Sequence, residues 1–452
     1  MIQEILLLGN QKTKDWVVLD EMTFQKGDTI RSEFLEDYVA RSKQNVFNLQ
    51  LFNEVEIQVQ RQRNLAFILV HLKERWYVWG SPTIGLEERN SFDFLGALGS
   101  SDFHRFVYGG YVQWMNIWGN NERLLVRGQL GFSKKLEFDF LRPTFIRTPR
   151  LDLRFGGSYR SEQELILGTE SGEVQWRGLE TEPLRRTLRG YVGIRHRISL
   201  YQYLEAEIGY SSYRYSDSLY SFNLNGERVN YSSRPTGNDR YPHIQFRYFV
   251  DKRDYKSYPL NGFKLQVFGK FIGPESLGTT QFGKVGVVWA HHLPLTRRWN
   301  LAYGLHHIQV LGDTLPFFEK SFIGARGREG GEVSHTLRGY EPYVLDGTSV
   351  SMAKFELKFA VMPIRTIHLG FVPFRRFQDM PLGVFISTYT DFGYIRDWSS
   401  SNQDQTFKDQ LLTGYGVGLN VIGFYDMLLR IEFSRNHLGQ SGVYLHTTVQ
   451  IK

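Results

Sequence analysis

Cysteine is missing from all 452 residues, so a disulfide framework, a thiolate metal site and a cysteine nucleophile are excluded at once. Long apolar runs are missing too. Nowhere do about 18 apolar residues follow one another, so the chain encodes no transmembrane helix. That absence leaves a membrane β-barrel open, because a barrel hides its apolar surface on alternate residues. Residues 2–8 lack the basic region and cleavage site of a signal peptide, so an exported protein would here be a mature chain. The net charge of +7 comes without a dense basic run, so no nucleic acid is expected as a partner.

Catalytic patterns are equally thin. No phosphate-binding loop occurs, and Gly414, Gly416 and Gly418 alternate along a strand instead. Gly439-Gln440-Ser441-Gly442 is followed by Val443, which rules out a nucleophile elbow. His291-His292 and His306-His307 fall on adjacent predicted strands, but sequence neighbours on a strand point to opposite faces, so no metal site is expected. The chain reads as a non-enzyme without a cofactor.

Aromatic residues are abundant, 25 Tyr, 34 Phe and 9 Trp, beside 44 Gly. From about residue 104 onward the chain alternates apolar and charged residues in run after run. Leu188, Val192, Ile194 and Ile198 oppose Arg189, Tyr191, Arg195 and Arg197; Ala353, Phe355, Leu357 and Phe359 oppose Lys354, Glu356 and Lys358. So many fully charged faces are explained most simply by one closed antiparallel barrel with a wet interior. Predicted strands lie near 104–116, 121–133, 135–142, 150–160, 170–178, 187–199, 202–216, 241–253, 261–272, 279–292, 298–310, 348–361, 383–395, 411–423, 427–436 and 442–451, about sixteen in all. Short and long connections alternate, and 312–347 is too long for an ordinary turn, which marks it as functional.

The first 80 residues form a separate α/β module in the order β-α-α-β-β. A strand over 2–8 is followed by a helix over 14–22 capped by Thr13, a second helix over 31–43, and two strands. In the first of these strands Val55, Ile57 and Val59 alternate with polar residues, and the second reads as buried on both faces.

That order, with the phrases GNQKTKDWVVLDEM, FQKGD and NLQLFNEVEI, resembles a polypeptide-transport-associated (POTRA) domain. Leu337-Arg338-Gly339-Tyr340 in the long loop is similar to the [V/L/I]-R-G-[F/Y] tip of the BamA-like superfamily of outer-membrane assembly and secretion proteins. Asp251, Arg253, Asp254, Pro259 and Gly262 resemble that family's strand-turn-strand motif, and Thr390-Asp391-Phe392-Gly393 its D-x-G strand. The resemblance covers essentially the whole chain. It implies a mainly β fold: a POTRA-like periplasmic domain over 1–80, then a sixteen-stranded antiparallel transmembrane β-barrel over 81–452 with its loop 312–347 in the lumen. The chain departs from the family in having one POTRA-like module and in ending Ile451-Lys452 rather than on an aromatic residue.

The function implied is insertion or translocation of polypeptides across a bacterial outer membrane. A structural barrel subunit of a larger complex, or a passive porin, is the alternative. Partners would be outer-membrane lipid, unfolded β-barrel or secreted clients, and accessory outer-membrane or periplasmic subunits. Clients would add a strand at Val55, Ile57 and Val59. The family's seam between first and last strands would fall at Arg105–Asn116 and Gly442–Ile451, with Gly109, Gly110, Val443 and Leu445 along it. Strand parity points both Glu356 and Asp391 into the lumen on neighbouring strands, where two carboxylates call for a cation. The resemblance implies that Arg338 supplies it, with Gly339 permitting the turn.

Overall fold

A computed structural model describes residues 1–86, 106–146, 150–170, 173–178, 182–219, 222–224, 227–229, 232, 237–312, 319–324, 336–341, 343–370, 379–397, 407–423 and 427–449. The chain opens with β1 (Ile2–Leu8), α1 (Asp15–Leu19), α2 (Leu35–Phe47), β2 (Phe52–Gln62) and β3 (Leu65–Glu74). These strands form a three-stranded sheet in the order β1-β3-β2, with β1 parallel and β2 antiparallel to β3. Val17, Val18, Leu35 and Val46 from the helices bury against Val55, Ile68 and Val70. The β-α-α-β-β order is as expected, with shorter or shifted helices. Two details differ. Thr13 does not cap α1; its hydroxyl donates to Glu74 Oε1 at 2.7 Å and lies 3.0 Å from the Tyr77 hydroxyl, because Glu74 offers a stronger, charged acceptor. On β3 only Ala66, Ile68, Val70 and Leu72 are buried, since both helices cover the same face of the sheet.

The remaining strands in chain order are β4 (Val78–Leu86), β5 (Phe106–Met115), β6 (Arg123–Gly131), β7 (Ser133–Ile146), β8 (Leu151–Glu162), β9 (Glu164–Glu170), β10 (Glu173–Gly178), β11 (Arg185–Ser199), β12 (Gln202–Tyr215), β13 (Phe222–Leu224), β14 (Glu227–Val229), β15 (Asn238–Asp251), β16 (Gly262–Ile272), β17 (Phe282–Pro294), β18 (Trp299–Leu311), β19 (Ser321–Gly324), β20 (Val344–Gly347), β21 (Ser349–His368), β22 (Asp379–Arg396), β23 (Leu411–Ile422), β24 (Met427–Asn436) and β25 (Ser441–Val449). Sixteen of them pair as one antiparallel sheet running from β4 to β25, while β9-β10, β13-β14 and β19-β20 are separate hairpins. Alternation decides the two faces. Leu188, Val192 and Ile194 on β11 are exposed on the outside, and Arg185 and Thr187 are buried on the inside.

The strand count agrees with the expectation, but its membership does not. Residues 170–178 belong to the β9-β10 hairpin, and the place of that strand is taken by β4, which starts directly after the module. Gly80, Pro82 and Gly85 hide β4 in the sequence, because neither residue type favours a strand interior. The seam therefore moves. Gly109 and Gly110 sit on β5, the second strand of the barrel sheet, opposite Thr83 and Pro82 of β4 and Gln129 and Gly128 of β6. Val443 and Leu445 lie on the last strand as expected. The sheet's two edges are β4 and β25, and no hydrogen-bonded register joins them among the described residues.

The module lies against one rim of the barrel. Arg197 makes a two-pronged ion pair with Glu21, 2.8 Å on each side, and Arg150 reaches Asp20 at 3.0 Å. Asn116 donates to the Thr13 hydroxyl at 2.9 Å, and Asn48 to the Asp254 carbonyl at 2.9 Å. The turns at 116–122, 200–201 and 252–261 therefore share the module's rim, and the end of β18 and the start of β21 lie at the other.

Candidate functional site

The tip Leu337-Arg338-Gly339-Tyr340 is buried inside the barrel against β21, β22, β23 and β24. Arg338 donates from Nε to Asp391 Oδ2 at 2.8 Å and from Nη2 to Asp391 Oδ1 at 2.6 Å, the planar two-pronged geometry that guanidinium and carboxylate share. Its Nη1 stands 3.7 Å from Glu356 Oε2 and 3.5 Å from Glu432 Oε1, and its guanidinium lies 3.7 Å from the centre of the Tyr389 ring. One cation thus faces three carboxylates on three strands, with Arg430 also 3.7 Å from Glu432. Lys354 lies beside the site, paired in register with Asp391, and donates to the Thr336 carbonyl.

The backbone explains why the tip fits. Gly339 has φ +90°, a conformation that side chains disfavour, and its N–H donates to Glu341 Oε2 at 2.7 Å. Gly414 on β23 leaves no gap: a Cβ there would stand 1.8 Å from the Arg338 carbonyl oxygen. A Cβ on Gly393 would stand 2.8 Å from Leu337 Cδ2, so the Asp391-Phe392-Gly393 run both grips the arginine and seats the leucine. Tyr340 is fully buried beside Phe407, and its hydroxyl contacts Thr413 and His437. Asn436 donates to the Gly339 carbonyl at 3.1 Å.

Glu432, Tyr389, Gly414 and Asn436 also belong to the site, although no motif in the sequence marks them for it. Parity places Glu432 inward, as it does Glu356 and Asp391, but β24 is two strands from β22, and only barrel curvature brings it to the same point. The alternating glycines at 414, 416 and 418 were the visible signal for close approach.

Near the module's rim, the strand-turn motif makes a second plug. Arg253 grips Asp251 through Nε and Nη2, each at 2.7 Å. Asp254 Oδ1 accepts from the backbone of Tyr255 and Leu260, closing the turn, and Gly262 at φ +96° could hold no Cβ, which would meet Lys252 O at 2.1 Å. The turn pushes Tyr258 into a buried cluster with Phe385, Ile422 and Leu428. Lys358 donates to the Pro259 carbonyl at 3.3 Å and lies over the Tyr258 ring.

In the module, Val55 is buried and Ile57 and Val59 pack against the core, so on β2 it is the strand's edge that faces outward. The four histidines do not converge in one place. His291 hydrogen-bonds the Tyr303 hydroxyl and His307 the Ser351 hydroxyl, whereas His292 and His306 take the opposite face of their strands.

A polar-lined antiparallel barrel with an apolar outer face, one buried luminal loop and a small α/β module on one rim defines an outer-membrane protein with a periplasmic domain. Residues 116–423 match the Omp85 superfamily domain, and residues 1–75 match the POTRA family described as a surface antigen variable number repeat. The chain belongs to the Omp85 superfamily. It lies in the outer membrane with its N-terminal module in the periplasm, and its family is one of non-catalytic proteins. The outer membrane protein assembly factor BamA of Nitratidesulfovibrio vulgaris is 23% identical over 388 residues, covering 82% of this chain and 43% of that protein. The chain thus spans less than half the length of that relative. Among solved structures, BamA from Haemophilus ducreyi lacking POTRA domains 1–3 is 15% identical with a TM-score of 0.51, covering 99% of this chain and 84% of that one. CdiB from Escherichia coli is 12% identical with a TM-score of 0.58, covering 99% and 75%. These two share the fold.

Proposed function

We propose that this protein inserts polypeptides into the outer membrane or translocates them across it, without nucleotide or cofactor. What supports the reading is the order of the sheet, which has β4 and β25 at its two ends. β4 and β25 end the sheet without a shared ladder among the described residues, so each offers backbone N–H and C=O groups to an extended chain. A passive pore gains nothing from such edges.

The other parts fit around it. The Arg338 tip ties together β21 to β24, the wall leading to the β25 edge, so the sheet beside the seam stays rigid. We assign 1–77 to the receiving module and 78–452 to the barrel, dividing the chain where β4 begins. In the module, β2 is the edge for client capture at Val55, Ile57 and Val59. The other edge, β1, is already engaged at its start, where Ile2 N–H donates to Asp28 O and Gly27 N–H to Ile2 O, each at 2.8 Å. Accessory outer-membrane or periplasmic subunits would dock on the remaining module surface.

Depleting the protein and surveying the outer-membrane proteome tests the function. Broad loss of β-barrels means assembly, and loss of one surface protein means secretion. An unchanged proteome contradicts both and leaves a porin or a structural subunit.

A further inference from the structure

Outward-facing cations gather on the barrel rim away from the module. Lys134 on β7 pairs in register with Ser161 on β8, Ser161 with Arg186 on β11, Arg186 with Arg214 on β12, and Arg214 with Asn238 on β15. Arg240, two residues further along β15, stands opposite Ser212. Parity fixes their direction. Lys134, Arg186, Arg214 and Arg240 are exposed, and the same face of the same strands carries Leu136, Leu188, Ile208 and Ile244, also exposed. The cations therefore border the apolar belt on the side that faces the outer leaflet.

This arrangement is costly by itself. Like charges directly opposite across a strand pair destabilise the sheet, and Arg186 faces Arg214 directly. No carboxylate pairs with Lys134, Arg186, Arg214 or Arg240 among the described residues; the one side-chain bond is from Arg214 Nε to Asn238 Oδ1 at 3.2 Å. The inward arginines beside them behave differently, since Arg185 is held by Glu162 at 2.5 Å. Between the outward ones lies a groove of about 350 Å³, lined by Arg186, Arg214 and Arg240 with Tyr159, Leu188 and Ser212. Arg186 and Arg214 lie in one cross-strand row of it, and Tyr159, Leu188, Ser212 and Arg240 lie in the adjacent row, so cationic and apolar groups border the same space.

We infer that this groove binds the phosphate groups of a lipid headgroup in the outer leaflet, with the acyl chains lying along the apolar belt below. Guanidinium forks match phosphate oxygens in geometry as well as charge. A doubly charged phosphate between Arg186 and Arg214 turns their repulsion into shared attraction. A lipid, rather than a free phosphate, is the ligand because the groove opens onto Leu188 and the apolar outer face.

The test uses the full chain in detergent and native mass spectrometry. Its probes are a bisphosphorylated glucosamine-disaccharide lipid, the same lipid without phosphates, and inorganic pyrophosphate. The phosphorylated lipid should be retained at least roughly tenfold better than its dephosphorylated form, since one charge-assisted hydrogen bond is worth about that factor. Replacing all three arginines together (Arg186→Gln, Arg214→Gln, Arg240→Gln) should erase the difference while keeping a heat-modifiable barrel. Arg186→Gln alone should leave the melting temperature unchanged or raise it, because it relieves repulsion; a residue with only a structural role would lower it. Equal retention of the two lipids by the unaltered protein overturns the proposal whether or not the triple variant folds. So does undiminished phosphate preference in the folded triple variant. Displacement of the lipid by an equal concentration of pyrophosphate assigns the site to soluble phosphate and overturns the lipid reading.

Discussion

Arg338 and Asp391 meet through two parallel hydrogen bonds, 2.8 and 2.6 Å long, with the arginine on the loop tip and the aspartate fully buried on β22. Losing either partner strands a buried charge, which costs about 3–5 kcal/mol. Arg338→Ala is therefore expected to free the tip while leaving a folded, heat-modifiable barrel. Limited proteolysis should then cut within 319–347 at a much higher rate than in the parent. Arg338→Lys should restore little, because a lysine cannot reproduce the planar fork.

A second prediction leaves every charge in place. Gly414→Ala sets a methyl group 1.8 Å from the Arg338 carbonyl, a distance that cannot be absorbed without moving the tip or the strand. It should expose the loop to protease about as strongly as Arg338→Ala. Gly128→Ala on β6, which meets nothing within 4 Å, should leave the cutting rate unchanged.

The tip should also respond to pH through Glu341. Burial pushes its carboxyl up to about 7; the backbone N–H groups of Gly339 and Glu341 oppose the rise, nearby Glu432 adds to it, and Arg338 counters it. A released tip would titrate near the ordinary value of 4.5, so between about 4.5 and about 7 the docked tip holds the extra proton. Docking is then tightest at the acid end of that window and weakens as pH rises through about 7. Protease cutting between pH 5 and 8 should increase with pH, and Glu341→Gln should flatten the profile.

Arg197 and Glu21 predict how firmly the module is held. Both side chains are largely buried at the junction, and hydrogen bonds to charged groups are worth about 1.5–3 kcal/mol. Arg197→Ala should broaden the spin-label distance distribution between module and barrel, and the exchange Arg197→Glu with Glu21→Arg should narrow it again. An unchanged distribution in Arg197→Ala would mean that the junction rests on Thr13, Asn116 and Asn48 instead.

Much of this architecture is legible in the residues, and the misses have physical causes. Period-two alternation placed Glu356 and Asp391 on the inner face because that face is wet and the outer one apolar, so one register satisfies both. The same alternation could not show Glu432 meeting them, since convergence across β24 depends on curvature rather than on local pattern. β4 is not legible in the sequence because Gly80, Pro82 and Gly85 weaken its strand signal, and the expected seam falls one strand too far along in consequence. The expected strand over 170–178 alternates like a barrel strand, yet among the described residues β10 pairs only with β9, a distinction that lies in the ladder and not in composition. Thr13 precedes a helix as a capping residue would, but the Glu74 carboxylate outcompetes the helix for its hydroxyl.

Capture at the module is open to direct chemistry. Photocrosslinkers placed along Glu54–Gln60 should trap periplasmic polypeptides, with the outward-edge positions more productive than the core-facing Val55. Trapping confined to β1 would move the receiving edge to the other side of the sheet.

The most direct measurement is a lock across the seam. The chain has no cysteine, so one placed within Val78–Ile84 and one within Ser441–Leu445 are the only thiols present. Cysteine pairs scanned along β4 and β25 should include some that oxidise to a disulfide. A gated seam predicts that the oxidised protein stops delivering its clients and that reductant restores delivery. Equal delivery by the locked and the reduced protein would contradict it.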